Sequence, residues 1–203
     1  MKKLTLLLFV LSNLITVSSF AQNVEEMKHD TNNGAPPKPL DDEFYPKMIG
    51  EWSGTSESNV GTAKEWQRCE WACDNQYVLI LYTNEMEKPN EKYVKKNAAA
   101  MGMSEAEVEK IFMEMKYSAI GMMTMDDATG EYVGYWYDNF RGAYKGIGKM
   151  NGKKITMTWE GGGGSSTRTL EMDGEQTLIQ TFTERDATGN EIIGTSTMKR
   201  KKK

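Results

Sequence analysis

Imidazole is nearly absent from this chain, whose 203 residues hold one histidine, His29. Most catalytic metal centres and every Ser-His-Asp triad need a well-placed imidazole. Two cysteines, Cys69 and Cys73, are too few for a four-thiolate zinc site. The expectation is therefore no metal and no cofactor. Positive charge is also short: 25 Lys and Arg against 29 Asp and Glu leave a formal net charge of −4. A nucleic-acid binder carries basic patches to meet phosphates, so no nucleic-acid partner is expected. Proline is scarce too, and three of the five, Pro36, Pro37 and Pro39, fall in one stretch. What the chain has in quantity is methionine, 15 residues, and aromatics, with 5 Trp, 9 Tyr and 6 Phe. With 38% apolar and 27% charged residues it has the composition of a globular protein.

The first residues read as an address. Lys2 and Lys3 precede an apolar run from Leu4 to Leu11, and Ser19 and Ala21 fit the small positions before a signal-peptidase cut. Residues 1–21 are thus expected to be a secretory signal peptide. A retained anchor is the competing reading, but Ser12 and Asn13 interrupt the run before it reaches the roughly 20 residues of a span. No stable membrane insertion is expected after cleavage, and the product would be periplasmic or secreted. Residues 22–42, rich in Asn, Asp, Gly and Pro, read as a disordered spacer that contains His29.

From Phe44 the texture changes to short apolar runs separated by turn signals. Ten strands are expected: Trp52 to Glu57, Lys64 to Ala72, Gln76 to Asn84, Tyr117 to Met125, Tyr132 to Asp138, Ala143 to Met150, Lys154 to Glu160, Thr167 to Met172, Gln176 to Glu184 and Glu191 to Lys199. Asn151-Gly152 and Asp173-Gly174 are hairpin signals. Asp-Ala-Thr-Gly occurs at 127–130 and 186–189, and reads as one turn chemistry used twice, Asp capping and Gly at positive φ. The pattern predicts an all-β, antiparallel up-and-down barrel, or else a sandwich. One segment, about 90–116, departs from it. Ser104 and Glu107 form a capping box, and Val108, Ile111, Phe112 and Met115 make one apolar stripe, so a helix is expected over about 104–115, with a turn or two before it. It would serve as a flap over a barrel end or pack on the outer wall. Residues 201–203 form a basic tail.

Gly50-Glu51-Trp52-Ser53-Gly54, preceded by Phe44, Tyr45 and Met48, resembles the opening of lipocalin-like (calycin) barrels. The block from Met125 to Asp138, Gly146-Ile147-Gly148-Lys149 and the last strand ending Met198-Lys199-Arg200 extend the likeness over roughly 43–200. Together they resemble a bacterial lipocalin-like family of unknown function. The resemblance implies a barrel of about ten strands with one helical insertion, and no catalytic residues. Neighbouring nitrobindin-like calycins hold haem through a His, which this chain lacks between Phe44 and its end.

Strand parity nominates the interior. Ile155, Met157 and Trp159 share one face, as do Met123 and Met125, and Trp136 is in phase with Tyr132. An apolar cavity with a few polar handles is expected to bind a small apolar or amphipathic ligand. Its candidate residues are Trp52, closing one end, and Met123, Met125, Trp136, Met157, Trp159 and Phe182. Plain core packing is the alternative for each. Met-x-Met pairs at 101/103, 113/115 and 123/125 raise Cu(I) binding, with pocket lining as the rival. Cys69 and Cys73 read as buried free thiols on one face, with a disulfide as the alternative if the chain bends between them. Two other classes stay open. One is a small-molecule hydrolase or isomerase using Glu70, Asp138 or Glu160 beside Arg68 and Arg141. The other is a non-catalytic interaction protein of the cell envelope, with a filled barrel and an exposed apolar patch on the insertion. Gly161 to Gly164 lacks the Gly-Lys-Ser/Thr ending of a phosphate cradle and reads as a loop at a barrel mouth. Nothing in the sequence favours one oligomeric state.

Overall fold

The computed structural model describes residues 38–161, 164–185 and 190–202. The signal segment, His29 with most of the spacer, and the turn at 186–189 lie outside the described residues.

Ten strands form a closed antiparallel barrel: β1 (Gly50–Ser58), β2 (Gly61–Ala72), β3 (Tyr77–Pro89), β4 (Lys116–Met125), β5 (Tyr132–Asp138), β6 (Ala143–Asn151), β7 (Lys154–Gly161), β8 (Gly164–Asp173), β9 (Thr177–Arg185) and β10 (Glu191–Arg200). Each pairs with its neighbours in sequence, and β1 pairs with β10 to close the ring, so no edge is left open. This is the expected up-and-down barrel. Turn chemistry differs in detail from its sequence reading. Asn151 pairs with Lys154, so the turn centres on Gly152 and Lys153, with Gly152 at φ +62°. In the turn at 126–130 the cap is Asp126 rather than Asp127. Its Oδ1 accepts from the amides of Ala128 and Thr129, each at 2.9 Å.

One end is closed by a short helix, α1 (Tyr45–Met48). Asp42 Oδ1 accepts from the amides of Phe44 and Tyr45 ahead of it, at 2.6 and 2.8 Å, and Pro46 sits in its first turn. Leu40 already packs on the core, its amide donating to the Asn75 carbonyl at 3.0 Å. Tyr45, Met48 and Trp52 are fully buried beside Val78, Ile155, Met157, Leu178 and Met198. Trp52 Nε1 donates to the Met48 carbonyl at 2.7 Å. Arg200, at the end of β10, lies 4.2 Å over the Trp52 ring. Its guanidinium also donates to the carbonyls of Lys47 and Ile49, and at 2.9 Å to that of Glu175.

Two helices, not one, fill the insertion between β3 and β4: α2 (Glu91–Met101) and α3 (Glu105–Glu114). The capping box at Ser104 and Glu107 is present. The 11-residue α2 has its own cap in Asn90, whose side chain accepts from the amides of Lys92 and Tyr93. Its weakly apolar pattern hid its length. Val94, Ala98 and Val108 bury one another, with Met103 and Phe112 packed alongside. Ile111 and Met115, placed on the expected stripe, are instead exposed.

Arg200→Ala is expected to destabilise the barrel by about 3 kcal/mol, from a lost cation–π contact and hydrogen bonds from a charged donor. The melting temperature should then fall by about 6–12 °C. Arg200→Lys should recover only part, because an ammonium cannot bridge three carbonyls in a planar fork. Thermal unfolding followed by circular dichroism reads both.

Candidate functional site

The end opposite α1 carries a cavity of about 440 Å³. Its rim is formed at the β1–β2, β5–β6, β7–β8 and β9–β10 connections by residues including Ser58, Val60, Asp138, Gly164 and Ile192. The insertion leaves the barrel at this same end. Asn90 N–H donates to the Val60 carbonyl at the rim, and Lys96 Nζ reaches Asn190 in the β9–β10 connection. No residue of α2 or α3 is among those lining the cavity.

The two sides of the cavity differ in chemistry. On β3, β4, β5 and β7 an aromatic row runs inward. Tyr82 stands 5.9 Å from Tyr117 and 5.7 Å from Trp136, and Trp136 stands 6.1 Å from Trp159, ring centre to ring centre. Trp136 Nε1 donates to the Tyr117 hydroxyl at 2.8 Å. Trp159 Nε1 and Ser166 Oγ are buried with no hydrogen-bond partner among the described residues. The other side is polar. Glu65 on β2 is 6% exposed. Its Oε1 accepts from Tyr82 Oη at 2.6 Å and Asn84 Nδ2 at 3.2 Å, and its Oε2 accepts from Ser196 Oγ. Deeper on the same strand, Gln67 Oε1 accepts from Gln180 Nε2 at 3.3 Å, and Gln67 Nε2 donates to Cys69 Sγ at 3.1 Å. Arg168 forms an ion pair with Glu184 and lies 5.3 Å over the Phe182 ring.

These phenols are not bases. Burial, reinforced by the charge of Glu65, holds the Tyr82 hydroxyl well above its usual range, and burial pushes Tyr117 up to about 12. Every carboxylate of the cavity is already an acceptor: Glu65 as above, Glu184 for Arg168, and Asp138 for the amides of Phe140 and Gly142 at 2.9 and 2.7 Å. Asp138 therefore caps the β5–β6 turn at the rim. Glu70 faces outward in an ion pair with Arg68 at 3.1 Å, and Glu160 is exposed. The arrangement can hold and orient a molecule. It assembles no general acid–base pair from the carboxylates that the sequence had nominated.

Of the six residues nominated as lining, Met123, Trp136, Trp159 and Phe182 lie on the cavity wall. Met125 and Met157 lie in the core towards the closed end, where Trp52, nominated as closing one end, packs under the short helix. Parity had named their face correctly, but depth along the barrel axis is set by register and is not a property of parity. The polar side went unnoticed in the sequence: Glu65, Gln67, Tyr82, Arg168, Gln180 and Glu184. A signal was present, since Cys69 and Trp71 fix the phase of β2 and put Glu65 and Gln67 on the inner face. Of the other Met-x-Met residues, Met101, Met113 and Met115 are exposed on the insertion.

A closed ten-strand antiparallel barrel with a plugged end and an open cavity is a lipocalin-like architecture of the calycin type. No protein-family model matches the chain, and no curated protein does. Solved structures match it as a fold. One is the S-type phycobiliprotein lyase CPES of Guillardia theta, 9% identical, with a TM-score of 0.52 over 78% of this chain and 91% of that one. Another is Rv2717c of M. tuberculosis, 10% identical, with a TM-score of 0.53 over 77% of this chain and 94% of that one.

Both cysteines are free, but they are not a buried pair. Cys69 is buried below the glutamines, while Cys73 is exposed in the β2–β3 turn, where Cys73, Asp74 and Asn75 all have positive φ. Burial pushes the Cys69 thiol up to about 12, so at pH 8 it is protonated as well as shielded. Titration with a disulfide reagent should therefore count one fast thiol in the native protein and a second only in denaturant. Loss of the fast thiol in Cys73→Ser assigns it.

Proposed function

We propose that this is an exported binding protein whose barrel holds one small amphipathic molecule, apolar body against the aromatic row and polar group against the β2 side. The observation that carries the reading is the cavity of about 440 Å³ with two chemically distinct walls. That volume falls in the range of small-molecule sites, and its mix of aromatic surface with a few fixed polar groups is what orients such ligands. Export rests on the apolar run of residues 4–11 and the Ser19/Ala21 pair. The likeness to a phycobiliprotein lyase, at 9% identity, supports the barrel and does not extend to that protein's reaction.

A second reading, an envelope interaction protein, draws on the exposed Met101, Ile111, Met113 and Met115 of the insertion. It had gone with a filled barrel, and the open cavity favours ligand binding over it.

Native mass spectrometry of protein purified from its own host should show a small molecule that leaves on denaturation, on a chain beginning at Gln22. Ala63→Phe, placed on the cavity wall, should abolish that retention while costing at most about 1–3 kcal/mol from overpacking. A chain that begins at Met1, or retention untouched by the filled cavity, contradicts the corresponding half of the proposal.

A further inference from the structure

Two ionisable side chains of opposite kind, Glu65 and Arg168, line the cavity, and they are treated differently. Arg168 has a carboxylate partner in Glu184. Glu65 has none: among the described residues no Lys or Arg nitrogen lies within ion-pair distance of it. Burying an ionised carboxylate without a counter-charge is costly, and natural proteins pair or ligate such groups. Its hydrogen-bond partners are all donors. Tyr82, Asn84 and Ser196 all donate to it, which fixes both oxygens in place. Oε1 accepts two of these bonds and Oε2 one, so Oε2 keeps acceptor capacity. Ala63, the next inward residue towards the mouth, is small and also lines the cavity.

The aromatic row begins at this carboxylate. Tyr82, which donates to Glu65, is followed by Trp136 and then Trp159. Electron-rich ring faces beside an unpaired carboxylate are the usual surroundings of an organic cation, attracted by both. An anionic ligand would meet Glu65 unfavourably, and the half-buried guanidinium of Arg168 is already engaged by Glu184 and Phe182. The net charge of −4 favours the approach of a cation as well.

We infer that the cavity selects an organic ammonium ion, its charged nitrogen seated on Glu65 and its apolar or aromatic body lying along Trp136 and Trp159. The inference rests on the reading of the cavity as a ligand site and names the chemical class of that ligand. Glu65 is the specificity-determining residue, the ligand supplying the counter-charge that the chain does not.

The test is calorimetric titration of the protein with three compounds of one shape: tryptamine, tryptophol, in which a hydroxyl replaces the ammonium, and indole-3-propionate, which is an anion. Tryptamine is expected to bind roughly tenfold or more tightly than tryptophol, the advantage of a charge-assisted hydrogen bond, with indole-3-propionate weakest. In Glu65→Gln the preference for the amine should vanish, while tryptophol affinity stays within about threefold of the unmodified protein. The comparison among compounds on the unmodified protein keeps the test intact if that variant folds poorly. Equal or tighter binding of tryptophol or indole-3-propionate overturns the choice of a cation and leaves the ligand site standing. An amine preference that survives in Glu65→Gln overturns the assignment to Glu65. Binding of none of the three, with no retained molecule in the native mass spectrum, overturns the ligand site and this inference with it.

Discussion

The pairing of β1 with β10 is the constraint on which the rest of this structure depends. Nine hairpin-related pairings would leave a twisted open sheet with two edges and an interior exposed along one side. The tenth closes the sheet, Trp52 to Ser58 against Gly194 to Arg200. It joins strands at the two extremes of the described chain, so it carries the largest loop-closure cost of any pairing. Arg200 secures it at one end. From the last residue of β10 the guanidinium covers Trp52 on β1 and ties down the carbonyls of Lys47 and Ile49, which bracket α1 and the start of β1. One side chain thus joins first strand, last strand and plug.

With that end plugged, the interior is sorted by depth. Around α1 the inward residues are Met48, Trp52, Val78, Ile155, Met157, Leu178 and Met198, all fully buried. Towards the mouth the same faces carry Glu65, Gln67, Gln180, Tyr82 and Arg168. A polar side chain at that depth needs a partner, and each has one. The polar groups therefore hold one another in place, at positions that remain reachable from the cavity.

Much of this was legible in the sequence, and the failures share one cause. All ten strands follow from alternation and turn residues, since a period of two is a local property of a half-buried chain. Hairpin connectivity left a barrel or a sandwich open, and the likeness of Gly50-Glu51-Trp52 to lipocalin-like openings pointed to the barrel and to Trp52 closing one end. What local pattern does not contain is position along the barrel axis. Met157 and Trp159 share a face, yet one is sealed in the floor and the other stands in the cavity wall, because register alone decides which residue reaches the mouth. Apolar alternation does not single out Glu65 and Gln67. They look like surface residues until Cys69 sets their phase. In the insertion, α2 escaped because its burial rests on Val94 and Ala98 alone, too few to make an apolar stripe.

The empty volume at the mouth has its own local origin, in three glycines beneath two tryptophans. Across the wall formed by β4 to β7, Gly121 pairs with Trp136, Gly134 with Gly146, and Gly146 with Trp159. A Cβ on Gly121 would come within 2.5 Å of the Trp136 ring, and one on Gly134 or Gly146 within 2.5 or 2.6 Å of the Trp159 ring. The rings therefore rest on bare backbone. Were those positions alanine, the rings would have to shift, and the space available for that shift is the cavity. An aromatic laid over glycine gives a strand pair its packing while occupying little of the interior. Ten strands can enclose a volume and fill it entirely with side chains. Here the glycine positions keep it open, along the aromatic row that begins beside Glu65, so that the aromatic surface and the carboxylate line a common space.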